Sequence, residues 1–293
     1  MLPPNAPTRV AFPNEGRDKY AGDQAPYRDC DGEESDGVAG GGRGVAAATE
    51  WLYGRNGVTE ALRAGRRPLR RVLVAGGARE AGLHPIVAAA REASVTLTEA
   101  AREQLDRLAP GANHQGVLLE AGAYPYADPD PLLDAEVPGG PLYLLLDQLQ
   151  DPQNVGTLLR SAEAVGVTAV LIPEHRAAAI TPAVVNASAG ATEWLRIARV
   201  TNLTRTIARL KERNVWVAGL EGLPEARPID AADLRGALAI VVGSEGSGIS
   251  RLVREACDFL VRLPMHGQIG SLNAAIAGSV ALYEADRQRS AGE

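Results

Sequence analysis

The chain predicts an α/β protein in two folded parts, the larger built on a mostly parallel sheet with helices on both faces. Three observations carry this. Apolar runs without alternation recur at 142–146 (LYLLL), 169–172, 215–220, 238–242 and 259–263, as strands covered on both faces require. Helical patterns separate them, at 155–165, 181–189, 203–213 and 271–287, the alternation expected of parallel strands with crossover helices. Several runs end in Gly-, Asn- or Ser-rich turns, where an open α/β sheet builds its site.

In chain order, residues 1–48 come first. They carry 5 basic and 8 acidic side chains among many Pro and Gly. That composition cannot bury enough apolar surface to offset ordering entropy, so it predicts a disordered acidic tail. A small α/β/α unit follows over 49–123: helix 58–64, strand 71–75, helix 83–92, strand 94–97, helix 98–108 from a Thr cap, and strand 116–120. With 10 basic against 8 acidic residues this block is positive. Arg63, Arg66, Arg67, Arg70 and Arg71 cluster at one helix end and strand start. They are candidate RNA contacts, with solvated surface charge as the plain alternative. Residues 124–141 hold five prolines and four acids and predict an extended linker. Residues 142–293 form the second domain.

The whole chain has 293 residues and a net charge of −6, which argues against indiscriminate nucleic-acid binding but permits a selective RNA partner. Cys30 and Cys257 are too few and too far apart for a disulfide framework. The four histidines show no paired ligand spacing, so no metal is expected. No apolar stretch nears 18 residues and no signal peptide is evident, so the expected compartment is the cytoplasm, with no membrane partner.

Three loops of the second domain hold the chemistry-bearing residues. In DPQNVGTLLR, Asn154 stands where it can cap the next helix, and Arg160 lies six residues on, either packed or a solvated charge. In GSEGSG, Glu245 sits among glycines where a phosphate cradle would avoid a carboxylate; a plain tight turn is the alternative. In LPMHGQIGSLN, Ser271 and Asn273 open the last helix, Ser271 as a ready N-cap. That helix carries small residues, Gly278 among them, beside Leu272, Ile276, Val280 and Tyr283, which suits core packing or a subunit interface. One arginine, one glutamate, two asparagines and a serine can position a ligand and steady a charge, so the reactive group should come from a cofactor.

Taken in order, N-x5-R, G-S-E-G-x-G and L-P-M…S-L-N over 142–287 resemble the SpoU (TrmH-like) family of RNA ribose 2′-O-methyltransferases in the SPOUT superfamily. Residues 53–63 (YGRNGVTEALR), 71–76 (RVLVAG) and 114–117 (HQGV) look like the ribosomal-protein-like RNA-binding module of one subgroup, which methylates a guanosine ribose in the peptidyl-transferase region of 23S rRNA. Gly270 departs from the family pattern. The resemblance implies a trefoil-knotted SPOUT domain, a homodimer with sites built from both subunits, and S-adenosyl-L-methionine as cofactor. It implies that Gly219, Gly243, Leu263, Met265 and Leu272 hold that cofactor. It also implies that Asn154, Arg160, Glu245, Ser271 and Asn273 form the catalytic pocket. A guanidinium is too weak an acid to serve as a literal base, so Arg160 is expected to bind the 2′-oxygen and adjacent phosphate and stabilise developing alkoxide. The alternatives are a tRNA ribose methyltransferase, a resistance enzyme acting on another rRNA loop, a non-catalytic RNA-binding assembly factor and, most distantly, a nicotinamide-dependent dehydrogenase.

Overall fold

The computed structural model describes residues 49–77 and 82–291. The tail expected over 1–48 lies outside the described residues. The amino-terminal module is a four-stranded sheet of β1 (Thr49–Tyr53), β2 (Leu69–Ala75), β3 (Thr96–Ala100) and β4 (Val117–Gly122) in the order β1-β4-β2-β3. Helices α1 (Arg55–Ala64) and α2 (His84–Glu92) cover one face, where Val58, Leu62 and Ile86 share a core with Leu52, Val72 and Leu119. Helix α3 (Arg102–Leu108) covers the other, setting Leu105 among Leu73 and Leu118. Thr98, expected to cap this helix, instead pairs with Leu73 in the parallel β2–β3 ladder. The strand therefore runs to Ala100 and α3 starts later.

The larger half has seven strands: β5 (Leu142–Leu146), β6 (Ala169–Pro173), β7 (Ile197–Val200), β8 (Trp216–Leu220), β9 (Arg227–Pro228), β10 (Leu238–Val242) and β11 (Phe259–Arg262). Their order is β7-β6-β5-β10-β8-β11-β9, and every neighbouring pair is parallel. Helices α4 (Pro129–Leu133), α5 (Pro152–Ala164), α6 (Pro182–Ala187), α7 (Leu203–Lys211), α8 (Arg251–Ala256) and α9 (Ala274–Ser290) complete it. The unbroken apolar run LYLLL now has its reason. Leu142, Leu144 and Leu146 pack with Leu158, Ala281 and Leu282 of α5 and α9, whereas Tyr143 and Leu145 pack with Leu133, Ile207 and Leu210 of α4 and α7.

The linker expected over 124–141 is not an extended spacer. Asp128 caps α4 by accepting from the Asp130 amide at 3.0 Å, and Pro129 occupies its first turn, a position where proline starts a helix. Leu132 and Leu133 are buried, and Asp130 and Asp134 pair with Arg209 and Arg213 at 2.7 and 2.6 Å. Tyr124 is buried as well, its hydroxyl donating to the Thr192 carbonyl at 2.8 Å. Burial pushes that phenol well above its ordinary pKa.

Packing also relocates Gly278, read above as part of a possible subunit contact. It is buried inside its own chain, where an added Cβ would stand 2.8 Å from Leu158 Cδ1 and 3.0 Å from Val242 Cγ2. The face of α9 left open carries Ile276, Val280 and Tyr283, each about half exposed.

Candidate active site

The site begins with a cap that frees Asn154. Asp151, not Asn154, caps α5, its carboxylate accepting from the Gln153 amide at 3.2 Å. Asn154 thus stands in the first turn with its amide directed away from the helix backbone. Gly156, two residues on, lets α5 meet α6: a Cβ there would lie 2.4 Å from Ala187 Cβ and 2.8 Å from the Ser188 nitrogen.

At the start of α9 the cap is Asn273 and not Ser271. Its side-chain carbonyl accepts from the amides of Ala275 and Ile276 at 2.9 and 3.1 Å. That fixes which way the amide faces: the Asn273 NH2 donates to Asn154 Oδ1 at 2.9 Å and also to Glu245 Oε1. Asn154 Nδ2 donates to the same Glu245 oxygen at 2.6 Å. Two amide donors from two helix starts converge on one oxygen of an exposed carboxylate.

The loop presenting Glu245 is built tightly. A Cβ on Gly243 would lie 2.2 Å from the Gly248 carbonyl carbon, and Gly248 has φ +65°, which L side chains rarely adopt. Ser244 and Gly248 exchange two backbone hydrogen bonds of 3.0 Å. Two carboxylates at strand ends hold the return leg: Glu221 accepts from the Ile249 amide and buried Asp147 from the Ser250 amide, both at 2.6 Å. Neither acid was singled out from sequence. The available signal was an acid directly after an apolar run, as in LLLD and GLE.

Beside this loop, residues 264–272 make no backbone hydrogen bond with any described residue, while Met265, Ile269 and Leu272 are exposed. Free amides and carbonyls next to apolar side chains suit an amphipathic ligand such as a nucleoside. Leu263 is half-buried at the edge of this segment, and Gly219 lies behind it, packed on Leu260, Cys257 and Ile249. Burial pushes the Cys257 thiol up to about 12, which removes it as a nucleophile. Among the described residues no His, Cys, Asp or Glu group could hold a metal ion.

Two expected members do not join the cluster. Ser271 and Arg160 are exposed, and neither contacts Asn154, Glu245 or Asn273 by a hydrogen bond. Six helical residues carry Arg160 about 9 Å along α5 and about 240° around it from Asn154. The two side chains of one chain therefore face different directions, and of the two alternatives for Arg160 its exposure fits the solvated charge.

The five module arginines also divide. The Arg67 side chain is wholly buried and forms a two-pronged pair with Glu193 at 2.7 and 3.1 Å, with Glu50 at 3.5 Å. It serves the interior and offers RNA no surface. Burial raises the pKa of Glu193 despite Arg67. Arg66 donates to the carbonyls of Glu193 and Leu195 and lies against the Tyr124 ring. Arg63, Arg70 and Arg71 are about half exposed, and Arg71 lies over the Trp51 ring while paired with Glu120 at 2.8 Å.

Comparison with known proteins assigns both halves. Residues 141–283 match the SpoU rRNA Methylase family model, and residues 51–127 match the model for RNA 2′-O ribose methyltransferase substrate binding. The chain is 40% identical over 244 residues to the putative TrmH family tRNA/rRNA methyltransferase YacO of Bacillus subtilis (strain 168), covering 82% of this chain and 96% of that one. It is 41% identical over 245 residues to the 23S rRNA (guanosine-2′-O-)-methyltransferase RlmB of Pseudomonas syringae pv. tomato, covering 83% and 97%. Among solved structures, the SpoU methyltransferase AviRb from Streptomyces viridochromogenes in complex with AdoMet aligns with a TM-score of 0.69 at 26% identity, covering 83% of this chain and 91% of that one.

Proposed function

The chain belongs to the SpoU rRNA methylase family, and from that premise we propose that it methylates the ribose 2′-hydroxyl of a guanosine in the peptidyl-transferase region of 23S rRNA. It is an S-adenosylmethionine-dependent RNA 2′-O-ribose methyltransferase. The finer target is supported by the RlmB relative, whose similarity runs through the substrate-binding half as well as the methylase half.

The observation that carries the mechanism is the convergence of Asn154 and Asn273 on Glu245. The open backbone of 264–272, the Gly243 turn, Leu263, Met265 and Leu272 fit the adenosine of the cofactor, and Gly219 gives the sheet beneath them its close packing. When bound, S-adenosylmethionine supplies an electrophilic methyl group on a sulfonium. The remaining work belongs to the chain: to align a 2′-oxygen and help it lose a proton. Glu245, steadied by the two amides, accepts a hydrogen bond from the nucleotide. Arg160 neutralises charge developing on the 2′-oxygen and its phosphate. Ser271 supplies a further hydroxyl beside the pocket.

Because Arg160 faces away from its own cluster, we place it in the pocket of a second subunit. The open α9 stripe of Ile276, Val280 and Tyr283 supports such a homodimer. The trefoil knot of the family belongs to this reading too, supported by the insertion of β10 between β5 and β8.

Methyl transfer to purified RNA from a strain lacking the gene, with mapping of 2′-O-methyl groups, tests the target. Label in the peptidyl-transferase region of 23S rRNA is expected, and label confined to tRNA or to another rRNA loop would refute it. Tyr283→Glu should give an inactive monomer on sedimentation. Mixing Arg160→Ala with Glu245→Gln subunits should restore part of the activity, because half of the mixed-dimer sites regain both residues.

A further inference from the structure

We propose that Trp194, held by Glu60 beside Arg63 and close in the chain to Arg196, is a stacking site for an unpaired base of the RNA substrate. The proposal rests on the RNA-methyltransferase reading above. The stretch 193–196 alternates sharply: Glu193 and Leu195 are buried, while Trp194 is 50% exposed and Arg196 is exposed. Buried anchors on both sides leave Trp194 no inward path, since the Glu193 carboxylate is held by Arg67 and Leu195 sits in the core. Trp194 thus presents about half of its indole to solvent.

The ring is also oriented in advance. Trp194 Nε1 donates to Glu60 Oε2 at 2.9 Å, and the other oxygen of that carboxylate accepts from Arg63 Nη1 at 2.8 Å. Arg66 reaches across to the carbonyls of Glu193 and Leu195, the residues on either side of Trp194. The amino-terminal module therefore supplies Glu60, Arg63 and Arg66, and the methylase half supplies Trp194 and Arg196. Glu60 links the ring to Arg63, Arg66 holds the backbone on either side of it, exposed Arg196 follows two residues on, and buried Glu193 is matched by Arg67.

A fixed indole face with arginines in the neighbouring surface is what an unpaired nucleotide needs: a π-surface for the base and cations for its phosphates. Ordering the ring before binding removes part of the entropic cost of association. The seam lies between the half that recognises RNA and the half that acts on it, so a base held here would register one against the other.

The test uses the full chain as wild type, Trp194→Ala, Trp194→Phe and Trp194→Leu. The probes are an in vitro transcript of the peptidyl-transferase region of 23S rRNA and a fully paired RNA duplex. Trp194→Ala should bind the transcript about 5- to 100-fold more weakly, with unchanged duplex affinity, cofactor affinity and sedimentation. Trp194→Phe keeps a ring without the N–H and should retain most of the affinity. Trp194→Leu keeps apolar cover without a π-face and should behave like Ala, so a loss of stability in Ala alone does not blur the result. Salt dependence should keep its slope, because no charge is removed. Wild-type transcript affinity in Ala and Leu would overturn the proposal. An equal loss on the duplex, or a shift to monomer, would overturn it in favour of a structural or subunit contact. A wild-type protein that neither binds nor methylates the transcript would refute the 23S reading itself, which is a distinguishable result.

Discussion

Asn273 does two jobs that a substitution series can separate. Its side-chain carbonyl caps α9 through the amides of Ala275 and Ile276, and its NH2 holds Glu245 and Asn154. Asn273→Ala removes both. Loss of an N-cap asparagine costs about 1 kcal/mol, which lowers Tm by about 2–4 °C in a domain of this size. Asn273→Ser keeps an acceptor for the helix amides but cannot reach Glu245 with a donor, so its Tm should stay near wild type. Hydrogen bonds to charged groups contribute about 1.5–3 kcal/mol. Glu245 is exposed, so the lower end applies, and both variants should lose about tenfold or more in kcat/KM for methyl transfer. Differential scanning calorimetry and a labelled-methyl assay read the two effects independently. A fully active Asn273→Ser protein would refute the claim that this amide organises the carboxylate, and an unchanged Tm in Asn273→Ala would refute the cap.

Other consequences are more local. Gly278→Leu should destabilise the chain by about 1–3 kcal/mol through overpacking against Leu158 and Val242, a loss visible in urea melts. Arg67→Ala leaves Glu193 buried without its partner and should cost about 3–5 kcal/mol, measured by chemical denaturation; a near-neutral result would mean water reaches the pair. Cys257 should resist maleimide at pH 8 in the native protein, because burial pushes its thiol up to about 12, and should label once the chain is unfolded. Hydrogen bonds from Arg287 and Gln288 lower the Glu284 carboxyl to about 2. Its stabilisation is therefore present above the ordinary value of 4.5 and fades as pH falls toward 2. Arg287 is exposed, so solvent screens the pair, and Glu284→Gln should flatten the acid limb of a pH–stability curve only slightly.

The sequence by itself determined most of the layout of the larger half. Strands buried on both faces carry their own signature, and LYLLL and LAIVV needed no tertiary knowledge to be read, because each side of such a strand meets a helix layer. Asn154, Glu245 and Asn273 drew notice in the sequence as polar residues in the Gly- and Asn-rich loops and helix starts that follow apolar runs, and the structure brings their side chains together. Contacts between distant segments were not legible. Whether Asn154 capped a helix or faced Glu245 depended on Asp151 taking the cap first. Arg67 reads in sequence like its exposed neighbours, and only Glu193, 126 residues away, marks it as interior. Gly278 shows a small residue without showing its neighbour, which proved to be Leu158 of the same chain. The linker was misjudged because proline and aspartate encode helix starts as readily as extended chain, and only a waiting apolar surface with Arg209 and Arg213 decides between them. Local pattern specifies which faces of an element are apolar, but the partner of each face is set by long-range packing, which no window of sequence contains.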